Sequence, residues 1–122
     1  MTEITEAEFL LGIDETALYN KLGTWRFQID TYGQYNPNLM LKMDFEERGK
    51  ETYELYLIQA KEKICEFWRN FKDSELFEDS KDLYFFIIGL LFDANVPYYA
   101  STFIGALLIK RGLNSICSEN SL

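Results

Sequence analysis

The chain has 122 residues, 48% hydrophobic and 16% aromatic: enough for one domain with its own core, and too apolar to stay expanded in water. Twenty acids against twelve bases give a formal charge of −8, with no histidine. That balance argues against binding the phosphate chain of nucleic acids or anionic membrane surfaces, both of which call for Lys and Arg.

The charge is unevenly spread. Residues 1–43 carry six acids and three bases, residues 44–82 twelve and seven, and residues 83–122 two and two. An acidic exterior over the first two-thirds suits solubility and encounter with basic partners. Two cysteines, Cys65 and Cys117, cannot frame a disulfide-stapled fold. A single bridge is open to them, but two small buried apolar side chains are the expectation for a cytosolic chain. The start, MTEITEAEF, is acidic where a signal peptide needs a cationic region, so the cytoplasm is the expected compartment.

In chain order, residues 5–8 have capping-box spacing ahead of Phe9, Leu10 and Leu11, and Gly12 ends that short helix. Asp14 suits the cap of a second helix, with Leu18 and Leu22 on one face and Gly23 just past its end. Residues 24–43 read two ways. Trp25, Phe27 and Ile29 alternate with Arg26, Gln28 and Asp30 as in a strand, whereas Leu22, Trp25, Ile29 and Tyr32 share one face of a helix. GQYNPN is turn chemistry, and LMLKM suits a returning strand. A helix followed by an extended loop is preferred over a β-hairpin.

Asp44 to Glu47 is a second capping box, opening a long amphipathic helix over about 44–71. Tyr53, Leu57, Ala60, Ile64, Phe67 or Trp68, and Phe71 recur at three- and four-residue steps. Glu51, Glu54, Gln59, Lys61, Glu62, Lys63, Glu66 and Arg69 fill the other side. Gly49 costs roughly 1 kcal/mol against Ala inside a helix, which moves the expected start toward Lys50. Ser80 or Lys81 begins another helix, apolar all round from Leu83 to Phe92 and hence expected to be central and enclosed. Asp93, Asn95 and Pro97 break it. Pro97 suits the first turn of a helix running to Arg111, with Lys110 and Arg111 at its negative end and Gly112 closing it.

Residues 83–109 are long enough to cross a bilayer. Asp93, Asn95 and Pro97 would then lie near its centre, where an Asp costs about 2.5 to 3.5 kcal/mol. The unbroken apolar piece covers only about 15 Å as a helix. A buried hairpin is expected, with no membrane span, and Gly89, Ala94, Ala100, Ser101, Gly105 and Ala106 would let its two helices approach closely. The expected fold is all-α: one domain over 1–122, built as a compact bundle of about five helices. It has the long amphipathic helix (about 44–71), a buried C-terminal helical hairpin (about 81–111) and a frayed tail at 118–122. The alternative is α+β with a β-hairpin in 24–43.

Chemistry is sparse. Without histidine the commonest general base, the hydrolase triads and the ordinary zinc and di-iron sets are gone. Glu62 and Glu66 share a helix face, but alternation with Lys61 and Lys63 marks a solvated surface. DSELFEDSKD lacks the glycine and terminal Glu of an EF-hand. Cys65 has Glu62 and Glu66 close by, which disfavour its thiolate and suit a structural cysteine. No glycine-rich phosphate loop occurs. No enzyme, metal or cofactor is expected.

What remains is surface. Asp73, Glu75, Glu78, Asp79 and Asp82 crowd a helix start, where they can simply meet its positive end or form a docking patch for a basic protein. Tyr32 and Tyr35, in the aromatic turn, are the second set of candidate partner contacts. This profile resembles bacterial toxin-immunity proteins, including those paired with contact-dependent growth-inhibition toxins. The likeness is one of size, charge and missing chemistry, carried by no motif, and it transfers no residue roles. It implies a non-enzymatic inhibitor that occludes a basic toxin domain such as a nuclease, with no direct nucleic-acid contact. The alternative is a small helical adaptor or regulatory subunit using the neutral C-terminal third, which leaves room for a homo-oligomer.

Overall fold

The computed structural model describes residues 6–32, 43–72 and 80–118. Six helices fill them: α1 (Glu6–Gly12), α2 (Glu15–Asp30), α3 (Phe45–Phe71), α4 (Ser80–Asp93), α5 (Tyr98–Arg111) and α6 (Leu113–Ser118). No strand occurs among the described residues, so the fold is an all-α bundle and the β-hairpin over 24–43 is not what forms. The strand-like alternation of Trp25, Phe27 and Ile29 is carried by a helix. There Phe27 is buried edge-on to Phe45 while Ile29 is exposed. Residues 33–42, with the GQYNPN turn, and Thr5 of the first capping box lie outside the described residues.

The expected caps are in place. The Asp14 carboxylate accepts the Ala17 N–H at 2.8 Å, and the Asp44 carboxylate accepts the Glu47 N–H at 3.1 Å, each satisfying a backbone donor that the helix start leaves free. Gly23 does not end α2, however, and Gly49 does not delay α3. Both lie inside their helices because the two helices cross there, backbone on backbone. A β-carbon on Gly23 would sit 1.8 Å from the Phe45 carbonyl oxygen, and one on Gly49 only 1.9 Å from that of Tyr19. Beside this crossing Tyr19 meets Tyr53 edge-on, with centroids 5.8 Å apart, and Asp30 pairs with both Arg26 and Arg48.

The hairpin forms as expected, with its helices exchanging roles. Ala100 to Leu108 are all buried, so α5 is the enclosed helix. Its small side chains let neighbours close in: a β-carbon on Gly105 would lie 3.3 Å from both Tyr84 and Ile88 of α4. Helix α4, expected at the centre, buries only Tyr84, Ile87, Ile88 and Leu91, and Phe85, Phe86 and Phe92 of the same apolar run face outward. Gly89 likewise lies in the open rather than between the helices. Asn95 makes the turn at φ +69°, in the left-handed region that Asn tolerates, with the Val96 N–H donating to the Leu91 carbonyl at 3.0 Å. Pro97 is the residue just before α5 rather than in its first turn. No helix among the described residues is long and apolar enough to cross a membrane.

Gly112, at φ +91°, closes α5 as expected, but a further short helix follows at once. Helix α6 turns the chain back onto α3, where the Trp68 indole N–H donates to the Asn114 side chain at 2.8 Å. It also brings Cys117 to Cys65. Their Cα atoms are 5.4 Å apart and the sulfurs are bonded, so the expected pair of separate thiols gives way to one bridge. That separation is inside the usual range of about 4.4–6.8 Å.

The crossing sets opposite expectations for three Gly→Ala changes. Gly23→Ala and Gly49→Ala should each destabilise by about 2–3 kcal/mol in urea melts, as overpacking against backbone that has nowhere to move. Gly89→Ala, with nothing within 4 Å, should instead stabilise by about 0.5–1 kcal/mol through helix propensity alone. Opening the bridge across its 52-residue separation, by Cys65→Ser with Cys117→Ser, should cost about 4 kcal/mol in the same melts.

Candidate functional site

Asp73, Glu75, Glu78, Asp79 and Tyr35 lie outside the described residues. The other two sequence candidates are at the surface. Asp82 is exposed in the first turn of α4, where it faces the positive helix end, and Tyr32, just past α2, is 90% exposed.

The described carboxylates gather elsewhere. Along α3, whose 27 residues reach about 40 Å, Glu47, Glu51, Glu54, Ile58 and Glu62 follow at steps of three and four, so they share one outward face. Leu55 lies one turn beyond Glu51 on the same side. It and Ile58, the latter 76% exposed, form an apolar centre with Glu47, Glu51 and Glu54 before it and Glu62 after it. One step past Glu62 the stripe ends at buried Cys65, where α6 covers the helix. A second exposed apolar set sits on the hairpin. Phe85 and Phe92 of α4 are each 59% exposed, and Phe92 packs edge-on against exposed Tyr98, with Tyr99 exposed next to it.

A third feature is concave. Glu15, Thr16 and Tyr19 of α2, Glu46, Lys50, Tyr53 and Glu54 of α3, and Arg111 at the end of α5 line a cavity of about 430 Å³. Arg111 donates from Nη1 to the Tyr19 hydroxyl at 2.8 Å and stands 5.7 Å from the centre of the Tyr53 ring. Lys50 Nζ stands 5.8 Å from the centre of the Tyr19 ring. These are cation–π distances, which favour keeping both cations in place. The bond to Tyr19 leads the causes that push the Arg111 guanidinium further above its already high ordinary value. Tyr53 is 2% exposed, and its hydroxyl is buried with no hydrogen-bond partner among the described residues.

Sequence reasoning missed this cavity. Lys50, Tyr53 and Glu54 have same-face spacing, as do Glu15, Thr16 and Tyr19, but each triplet also reads as an ordinary amphipathic helix. Nothing in the string says that Gly23 and Gly49 bring the two faces together, or that Arg111 ends α5 beside them.

No protein-family model matches this chain, no curated protein resembles it, and no solved structure matches it.

Burial is the main cause lifting the Tyr53 and Tyr84 phenols well above their ordinary value of 10.0. Both groups hold their proton more tightly folded than unfolded. Their contribution to stability is therefore complete below pH 10.0 and is lost as pH climbs past that value. Ultraviolet titration should show two of the eight tyrosines ionising only as the protein unfolds. Tyr53→Phe should flatten the alkaline fall in stability.

Proposed function

We propose that this chain is a non-enzymatic protein-binding protein, an immunity or inhibitor protein whose acidic α3 face docks on and occludes a basic toxin domain. One observation carries the reading: Glu47, Glu51, Glu54 and Glu62 flank the exposed Leu55 and Ile58 on a rigid helix. An apolar centre with a charged rim is the anatomy of a protein interface. Burying what remains exposed of Leu55 and Ile58 would supply about 1–2 kcal/mol each. The carboxylates would add little affinity one by one, but they speed encounter with a cationic surface and select for it. Asp73, Glu75, Glu78, Asp79 and Asp82, with Tyr32 and Tyr35, extend the same reading as further contacts. A cytoplasmic location is proposed with it, and the Cys65–Cys117 bridge is what argues the other way, since cytosolic glutathione keeps such pairs reduced.

A second reading, a helical adaptor that self-associates or binds another helical protein, is favoured by the exposed Phe85, Phe92, Tyr98 and Tyr99. Exposed apolar side chains in mutual contact, as Phe92 and Tyr98 are, mark contact surfaces when the patch is large enough.

The two separate on co-expression with the product of the reading frame immediately upstream. The inhibitor reading expects a secreted protein whose basic C-terminal domain arrests growth alone but not beside this chain. Association should slow at least about tenfold between about 50 and 500 mM salt, and again with Glu51→Lys and Glu62→Lys. Binding indifferent to both salt and charge reversal would remove the acidic-face mechanism. A salt-insensitive oligomer of this chain alone, dispersed by Phe92→Lys or Tyr98→Lys, would replace it with the adaptor.

A further inference from the structure

We propose that the cavity between α2, α3 and the end of α5 binds a small zwitterion carrying one carboxylate and one ammonium group, the chemistry of a free α-amino acid. Three observations lead there. The first is size: about 430 Å³ lies within the range of small-molecule sites, roughly 300–1,000 Å³.

The second is charge. Glu15, Glu46 and Glu54 line the same space as Lys50 and Arg111, yet no ion pair joins any two of these five among the described residues. A ligand of one sign would meet like charge across the cavity whichever way it lay. A zwitterion meets opposite charge at both ends, with its carboxylate toward Arg111 and Lys50 and its ammonium toward the glutamates. Charge-assisted hydrogen bonds of this type are about twice as strong as neutral ones.

The third observation points to a ligand independently of the charges. The Tyr53 side chain is almost wholly buried in the cavity lining, and its hydroxyl has no partner among the described residues. A buried donor left unpaired costs about 1–3 kcal/mol, and few native groups are left that way without a reason. Burial also keeps the phenol protonated, so it stays a donor at any ordinary pH. The hydroxyl itself is shut off from the open space, so the ring must turn slightly for it to meet a carboxylate held by Arg111, which already bonds Tyr19 and stands over the Tyr53 ring. The backbone crossing at Gly23 and Gly49 sets the spacing of the two helices that supply most of the lining, which lowers the cost of binding.

The test uses the isolated 122-residue chain and needs no partner protein. Backbone amide NMR spectra are followed during titration with each of the common L-α-amino acids to about 10 mM, alongside acetate and methylammonium as single-charge halves. At least one amino acid should shift the amides of Tyr19, Lys50, Tyr53 and Arg111, with both halves at least about tenfold weaker. Tyr53→Phe should keep or raise the ligand-free Tm while weakening that ligand about tenfold. The proposal is overturned if no amino acid moves those amides, or if either half binds as well as the whole. It is overturned equally if Tyr53→Phe binds as tightly as the parent or lowers the ligand-free Tm, which would mean the hydroxyl is already bonded inside the protein.

Discussion

Two helices touching through their main chains organise this molecule. At Gly23 and Gly49 there is no room for even a methyl group between α2 and α3, so their relative position is set by backbone van der Waals contact rather than by interdigitated side chains. Close-packed interiors tolerate little adjustment, and contact against carbonyl oxygens tolerates least. The register that results joins Tyr19 to Tyr53, Phe27 to Phe45 and Asp30 to Arg48. Each pair is modest alone. Together they hold one side of α3 against α2 and leave the opposite side, with its glutamates, to water.

The second organising fact is the placement of α5. A run of mostly small and medium side chains, Ala100 to Leu108 with Phe103 among them, lets neighbours pack on every side, and the bulkier α4 then lies outside it with Phe85 and Phe92 largely exposed. Charge and apolar exposure therefore occupy different helices. The carboxylate stripe lies on α3, and the aromatic face lies on α4 with the start of α5. That division is why two readings of function stand side by side, and why salt dependence separates them.

Much of the helical framework was legible in the sequence because it depends on local chemistry. Asp14 and Asp44 cap as their spacing indicates, and the three- and four-residue recurrence from Tyr53 to Phe67 buries as expected. Asn95 and Gly112 end helices through backbone angles that those residue types favour. What failed was non-local. Gly23 and Gly49 look like punctuation until the partner helix is known. Periodicity identifies Leu83–Phe92 as apolar but carries no information on which of two apolar helices will be surrounded. The bridge was unreadable because it depends on α6, whose six residues carry no strong signal and which forms only by packing back on α3. The cavity needed three helices at once, so no single stretch could announce it.

The bridge also changes how tension would travel through the chain. A pull applied at the N-terminal side and at the C-terminal end would pass from Cys65 straight to Cys117, bypassing α4 and α5. Some 52 residues would be shielded, withholding about 170 Å of extension at about 3.3 Å per residue. Threading through a pore, as an export channel or a protease ring demands, would meet a covalent loop instead of a single strand, and would have to reduce it or pass it whole.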